Sequence, residues 1–184
     1  GDAEMLKHGM LSSHDEFIKL TGYAFQNADA EHLLQLLKTS VLVKERIVKE
    51  DPHEQGIRRA LNLGHTVGHA FESKALHDGK SIAHGYAVAW GLVAEMVLSH
   101  QILKFPTEDL HRLADFVYAN YGAYHITCDH YDELLHLMHH DKKSEHGEIN
   151  CTLLAACGDV RPGHTITDDQ MRIALDLYRD LLHI

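Results

Sequence analysis

Cysteine is scarce in this chain. Only Cys128, Cys151 and Cys157 occur in 184 residues, an odd count with no CxxC spacing. That excludes a disulfide framework and a zinc–thiolate site, and it fits a reducing compartment. Basic charge is also in short supply. Seventeen Lys and Arg face 27 Asp and Glu, for a formal net charge of −10, so the basic footprint that nonspecific nucleic-acid binding needs is missing. No apolar run approaches the ~18 residues of a membrane span. The opening GDAEMLKHGM lacks the basic-then-apolar order of a signal peptide. Together these absences predict a cytoplasmic protein with no nucleic-acid and no membrane partner. There is no GxGxxG and no alternating βαβ series, so these residues encode no dinucleotide fold. Linkers, repeats and low-complexity tracts are missing as well.

What remains is an ordinary globular composition, 45% apolar and 24% charged. A chain of this length buries roughly 70% of its surface on folding, enough for a real core without cross-links. Histidine is the one excess, with 18 residues. Most are expected to be solvated surface imidazoles, and a few to belong to a site.

Hydrophobic period and punctuation predict helices nearly everywhere. Glu4–Leu11 reads as a short amphipathic helix. Asp29 opens a long one with Leu33, Leu34, Leu37, Val41 and Val48 on its apolar face, stopped before Asp51-Pro52. A third runs from Ile57 to about Leu76. Ile82–Leu103, rich in Ala, Val and Leu, reads as deeply buried. Thr107 caps a helix bounded by Pro106 and Gly122, and Asp129 caps another running to about Lys143. Ile149–Ala156 reads as a strand or hairpin, and Thr167 caps a last helix carrying Met171, Leu175, Tyr178 and Leu182. The expected fold class is a single, mainly α, multi-helix domain with a short β-hairpin, spanning residues 1–184.

The most informative stretch is Arg58 to Glu72. On one continuous helix, Arg58, Asn62, His65 and His69 form a single polar stripe, and Gly64 and Gly68 a second pair at i, i+4. Each glycine costs a helix interior about 1 kcal/mol relative to Ala. Two in register therefore point to close packing by a ligand or another backbone. His84 opens the very apolar helix, where a polar ring needs a partner. One carboxylate and two imidazoles fill three positions on a divalent metal and leave the fourth open. HxxxH without the internal Glu is not the metalloprotease HExxH, which excludes peptide hydrolysis on that pattern. Lys7, Lys44, Arg58, Lys142 and Lys143 recur beside these segments and suit anionic substrate groups.

These segments resemble the C-terminal, metal-binding half of the 3-dehydroquinate synthase family. The matching pieces are Ala3-Glu4-Met5-Leu6-Lys7-His8-Gly9; the run from Lys44 through Arg46-Ile47-Val48 to Asp51; Glu54, Gly56 and Arg58; the LNxGHTxGHxxE run from Leu61 to Glu72; His84-Gly85-Tyr86-Ala87-Val88-Ala89-Trp90-Gly91; and Asp141-Lys142-Lys143. The resemblance implies a zinc (or cobalt) ion held by Glu4, His65 and His84. It implies that His69 is a nearby catalytic residue rather than a ligand. It also makes Lys7 and Lys44 active-site lysines that bind substrate, Arg58 the carboxylate arginine, Asn62 a substrate amide, and Lys142 or Lys143 the phosphate-side cation.

The implied reaction is that of an NAD- and metal-dependent, phosphate-eliminating carbon–oxygen lyase of the shikimate pathway, which leads to chorismate and the aromatic amino acids. It converts 3-deoxy-arabino-heptulosonate 7-phosphate to 3-dehydroquinate and phosphate. The family places a nucleotide-binding α/β half before this one, and the partners expected are that half, a phosphorylated sugar acid and a second copy in a homodimer. This domain alone is expected to be inactive. Tyr86 departs from the family pattern, which often has Glu after His-Gly. Sister cyclases that make 2-deoxy-scyllo-inosose or 2-epi-5-epi-valiolone are therefore alternatives. Two readings from other classes are a noncatalytic histidine-rich metal-binding module and an iron-type alcohol dehydrogenase.

Overall fold

A computed structural model describes residues 2–22, 29–53, 57–141, 144 and 146–184. Among them run eight α-helices and one two-stranded sheet. They are α1 (Asp2–Ser12), α2 (His14–Thr21), α3 (Ala30–Glu50), α4 (His65–His77), α5 (His84–Leu103), α6 (Thr107–Tyr121), α7 (Tyr131–His139), β1 (Ile149–Ala156), β2 (Asp159–Ile166) and α8 (Asp168–Leu181). Short 3-10 turns cover Ile57–Asn62 and Cys128–His130.

The centre is α5. Every residue from Ala87 through Ser99 is buried, and α1, α4, α6, α8 and β1 pack around it. By length and composition it is the one helix among the described residues apolar enough to cross a membrane, and 72% of that stretch is buried inside the fold. Uninterrupted apolar runs within it are short, because Glu95 and Ser99 break the stretch. Its 20 residues surround the buried polar groups Glu95 and Ser99, both 0% exposed, and these bond to neighbouring elements as a core helix does.

Local chemistry sets the helix ends. Asp29 caps α3, its carboxylate accepting from His32 N at 2.7 Å. The helix stops at Asp51, where the following Pro52 disfavours helical geometry. Thr167 and Gln170 form the capping box of α8, whose buried face is Met171, Ala174, Leu175 and Tyr178. β1 and β2 pair antiparallel around a turn at Gly158, with Ile149 opposite Ile166 and Ala156 opposite Asp159. Gly158 N donates to Met10 O at 2.9 Å, pinning the hairpin to the end of α1.

Four expectations change. Residues 57–76 are not one helix: Gly64 adopts φ +80° and separates the 3-10 turn from α4. The four-residue polar stripe therefore dissolves, although His65 and His69 still share a face of α4. The buried face of α3 is Leu36, Ser40, Val43 and Ile47, while Leu34, Leu37 and Val41 are exposed. The buried face is the one that packs on α1, where Leu36 joins Met5 and Leu20 and Ser40 Oγ bonds to His8 Nδ1. Thr107 is the first residue of α6, with Pro106 in the cap position. Thr127 rather than Asp129 supplies the capping box before α7, and α7 ends at His139. Helix α2, which sequence reading leaves unassigned, is capped by Ser13 accepting from Glu16 N at 3.2 Å.

Candidate metal centre

Three helices deliver the site. Helix α1 carries Glu4 and Lys7 at i, i+3. Helix α4 opens on His65 and presents His69 one turn later. Helix α5 opens on His84. The rings of His65, His69 and His84 lie 5.3, 5.4 and 5.9 Å apart by centroid. Each offers a ligand nitrogen within 4.8 Å of the others. Glu4 Oε1 is 4.0 Å from His65 Nε2. Donors around a tetrahedral zinc stand about 3.4 Å apart, given bonds of about 2.1 Å, so the three imidazoles stand near the spacing that a shared ion needs, with Glu4 beside His65.

The supporting partners also fit a metal. His65 Nδ1 donates to Leu63 O at 3.1 Å. His84 Nδ1 donates to Glu72 Oε2 at 3.0 Å. His69 Nδ1 faces Asp141 Oδ2 at 3.4 Å. Each Nδ1 is thus engaged by an acceptor, which leaves each Nε2 for the centre. This is the arrangement by which a second partner fixes the tautomer of a metal-ligating imidazole. Burial, reinforced by the Lys7 ammonium, holds His65 down at about 4. It is therefore neutral at pH 7, the form that ligates.

Lys7 is 3% exposed. Its Nζ donates to Leu61 O at 2.7 Å and pairs with Glu4 Oε2 at 2.7 Å. The sequence segment alone allowed an exposed pair, and the structure makes Lys7 a fixed, buried cation. Glu4 stays below the ordinary carboxylate value: burial opposes ionisation, and the hydrogen bond and charge of Lys7 outweigh it. Lys44 is exposed on α3, close enough for its charge to disfavour protonation of His8. Arg58 lies on the 3-10 turn, where its N–H donates to Asp51 Oδ2 at 3.1 Å and its Nη1 to Pro52 O at 2.9 Å. Asn62 ends that turn, half-buried. Lys142 and Lys143 lie outside the described residues, as do Glu54 and Gly56. They follow Asp141, which lines a depression of about 280 Å³ together with His69, Ala70, Ser73, Leu137 and His140.

The glycines resolve in favour of another backbone. A Cβ on Gly68 would stand 2.9 Å from Ala87 O, and one on Gly91 would stand 2.0 Å from Gly64 O. Helices α4 and α5 cross main chain against main chain, and that closeness brings His84 to His65 and His69.

Sequence reading missed two residues. Glu72 ends the LNxGHTxGHxxE run and had been given no role. Glu95 accepts from Gly64 N at 3.1 Å through Oε1 and from Val67 N at 3.2 Å through Oε2. Burial pushes its carboxyl up to about 8 against the pull of the Val67, Gly64 and Thr66 amides. The available signal was a lone carboxylate inside an apolar run, since a buried charge requires partners.

Fold and site together define a helical domain whose crossing helices gather a histidine trio of metal-binding geometry beside buried Lys7 and its half-exposed partner Glu4. A family model described as 3-dehydroquinate synthase C-terminal matches residues 1–144. A 3-dehydroquinate synthase of Parabacteroides distasonis is 46% identical over 180 residues, covering 98% of this chain and 51% of that protein. One from Leptospira interrogans is 36% identical over 160 residues, 86% of this chain and 44% of that protein. Among solved structures, the 2-epi-5-epi-valiolone synthase of Streptomyces hygroscopicus with NAD+ and Zn2+ bound superposes with a TM-score of 0.80. It is 22% identical and is matched over 97% of this chain and 50% of that one. A 2-deoxy-scyllo-inosose synthase complexed with carbaglucose-6-phosphate, NAD+ and Co2+ gives 0.70 at 18% identity, over 94% of this chain and 49% of that one. The chain belongs to the 3-dehydroquinate synthase family and matches its C-terminal part, spanning about half the length of the curated relatives.

Proposed function

We propose that this chain is the metal- and substrate-binding half of a 3-dehydroquinate synthase. It would convert 3-deoxy-arabino-heptulosonate 7-phosphate to 3-dehydroquinate and phosphate, with NAD held by a nucleotide-binding half. The observation that supports the reading is the cluster of His65, His69 and His84, with Glu4 Oε1 4.0 Å from His65 Nε2 and Glu4 Oε2 paired with buried Lys7, in a chain 46% identical to a named synthase. Glu4, His65 and His84 would hold a zinc or cobalt ion, leaving His69 for chemistry, and a bound ion would supply Lewis acidity toward substrate hydroxyls.

The chain's own groups do the rest. Lys7 is fixed by Leu61 O and Glu4, so it sets one positive charge against the substrate without having to be ordered first. His69, turned by Asp141 at Nδ1, offers Nε2 to take a proton from a substrate hydroxyl and return it later. It lines the depression that Lys142 and Lys143 adjoin in sequence, which suits them to the phosphate end. Arg58 and Asn62 take the carboxylate end, with Lys44 alongside.

The test pairs this chain with the N-terminal half of the Parabacteroides distasonis relative, plus NAD and zinc, and measures phosphate release from the heptulosonate phosphate. The expected result is release together with 3-dehydroquinate, and none from this chain alone. A folded, zinc-loaded pair that ignores this substrate and consumes another sugar phosphate would assign the chain to a sister cyclase. Metal analysis should find one zinc per chain, retained by His69→Asn and lost by Glu4→Gln and His84→Ala. The reverse pattern would make His69 the ligand. Several weak metals per chain would favour a histidine-rich metal module. The described residues hold a single cluster of metal-binding geometry.

A further inference from the structure

The last unexplained feature of the centre is the carboxylate of Glu95. It is 0% exposed and sits on α5, 31 residues from the first amide it binds. Helix α4 has no side-chain cap of its own, because its N-cap is Gly64. Glycine in the left-handed conformation allows the sharp entry from the 3-10 turn but offers no acceptor for the first amides. Glu95 supplies both acceptors from the neighbouring helix: Oε1 takes Gly64 N–H and Oε2 takes Val67 N–H. The two bonded amides bracket His65, and His69 follows one turn on.

Resting on the metal-centre reading above, we infer that Glu95 is a positioning residue: its two oxygens clamp the first turn of α4 and thereby aim His65 and His69 at the centre. Acceptors supplied by another element satisfy amides at a helix start that have no partner within the helix. Here Glu95 does more than end a helix, because its bonds straddle the residue whose ring must point inward. Ser99, one turn further along α5, provides the comparison. It is equally buried, donates to the main-chain Glu95 O at 3.0 Å without touching the Glu95 carboxyl's amides, and accepts from Leu154 N of β1 at 3.0 Å.

The experiment titrates the 184-residue chain with cobalt(II), follows the visible d–d bands, and measures the thermal midpoint of the same samples. Glu95→Gln keeps the shape but turns an amide NH2 toward a backbone N–H. It should weaken cobalt binding about tenfold, the lower end of what loss of supporting partners costs, and shift the bands. Ser99→Ala should lower the midpoint and leave cobalt affinity within about twofold. If Glu95→Gln does not fold, Glu95→Asp, too short to span both amides, is read the same way. Wild-type affinity and bands in Glu95→Gln overturn the inference, as does a loss that Ser99→Ala reproduces at equal destabilisation. The imidazole Hε1 NMR signals of His65 and His69 without metal separate the two readings. Movement in Glu95→Gln but not in Ser99→Ala supports the clamp even if wild type takes up no cobalt, an outcome that removes the metal reading alone. Unmoved signals overturn the clamp.

Discussion

Gly91→Ala tests the contact that assembles the centre. A methyl at this position would stand 2.0 Å from Gly64 O, 2.7 Å from Gly68 N and 3.0 Å from Gly68 Cα. Real Cβ atoms essentially never approach closer than 3.0 Å, so α4 and α5 must part by roughly 1 Å where they cross. Every obstructing atom is main chain, so no side-chain rotation relieves the clash. Alanine in a helix interior returns about 1 kcal/mol of propensity. Overpacking a dense core costs about 1–3 kcal/mol and occasionally more, and rigid backbone on both sides puts this case at or above the upper end. The net expectation is a loss of about 2 kcal/mol, which for a chain of this size lowers the thermal midpoint by about 4–8 °C.

The displacement falls on Gly64, the neighbour of His65 and a partner of Glu95, so metal affinity should fall as well. A thermal melt followed by circular dichroism and a zinc competition titration read both effects. Gly85→Ala on the same helix is the control. Nothing lies within 4 Å of the added carbon, and its midpoint should stay near wild type. A Gly91→Ala protein that melts with wild type and binds zinc as tightly would refute the idea that this crossing sets the site.

Stability should peak near pH 6.5 when urea unfolding is measured with a chelator present. His8 and His65 are both held down from 6.5 to about 4, chiefly by burial and next by Lys7, so their contribution is full above 6.5 and is lost as pH falls. Burial raises Glu95 from 4.5 to about 8, so its contribution is full below 4.5 and is lost as pH rises through 8. The net is one proton either side of the peak, a slope on the order of 1 kcal/mol per pH unit, and a midpoint that does not change from pH 4.5 to 8 would contradict it. Tyr178→Phe should cost about 1–3 kcal/mol. The buried hydroxyl both donates to Tyr124 O at 3.0 Å and accepts from Tyr124 N at 3.1 Å, and equal urea midpoints for the two proteins would show that another group satisfies that backbone.

The parts of this molecule that were legible in the sequence are those written along one element. Asp29 and Thr167 announce their helices because a cap and its amide lie three residues apart. The Ala-, Val- and Leu-rich stretch of α5 announces a core helix because apolar residues fall on every face of its middle turns. The recurring Glu–Lys, Asn–Gly–His and His–Gly segments marked the site because chemistry demands particular residue types at particular places, whatever the helix phase.

The two larger misreadings share one cause: each was decided by a partner distant in sequence. Side-chain type picks out one α3 apolar stripe, whereas the face that packs on α1 carries Leu36, Ser40, Val43 and Ile47, with Leu36 against Met5 and Leu20. The continuous helix over residues 57–76 was read by periodicity, which cannot register that Gly64 takes a left-handed conformation to enter α4 against Leu92 and Val88. That break is what makes the site work. A straight helix would present Arg58, Asn62, His65 and His69 as a single row along one face. The kink instead leaves the first turn of α4 to be capped by Glu95 from α5, and the same two helices then touch at Gly64, Gly68 and Gly91. Gly68 inside α4 and Gly91 inside α5 weaken their helices in isolation, and that cost in propensity is offset by the close packing that brings three imidazoles together.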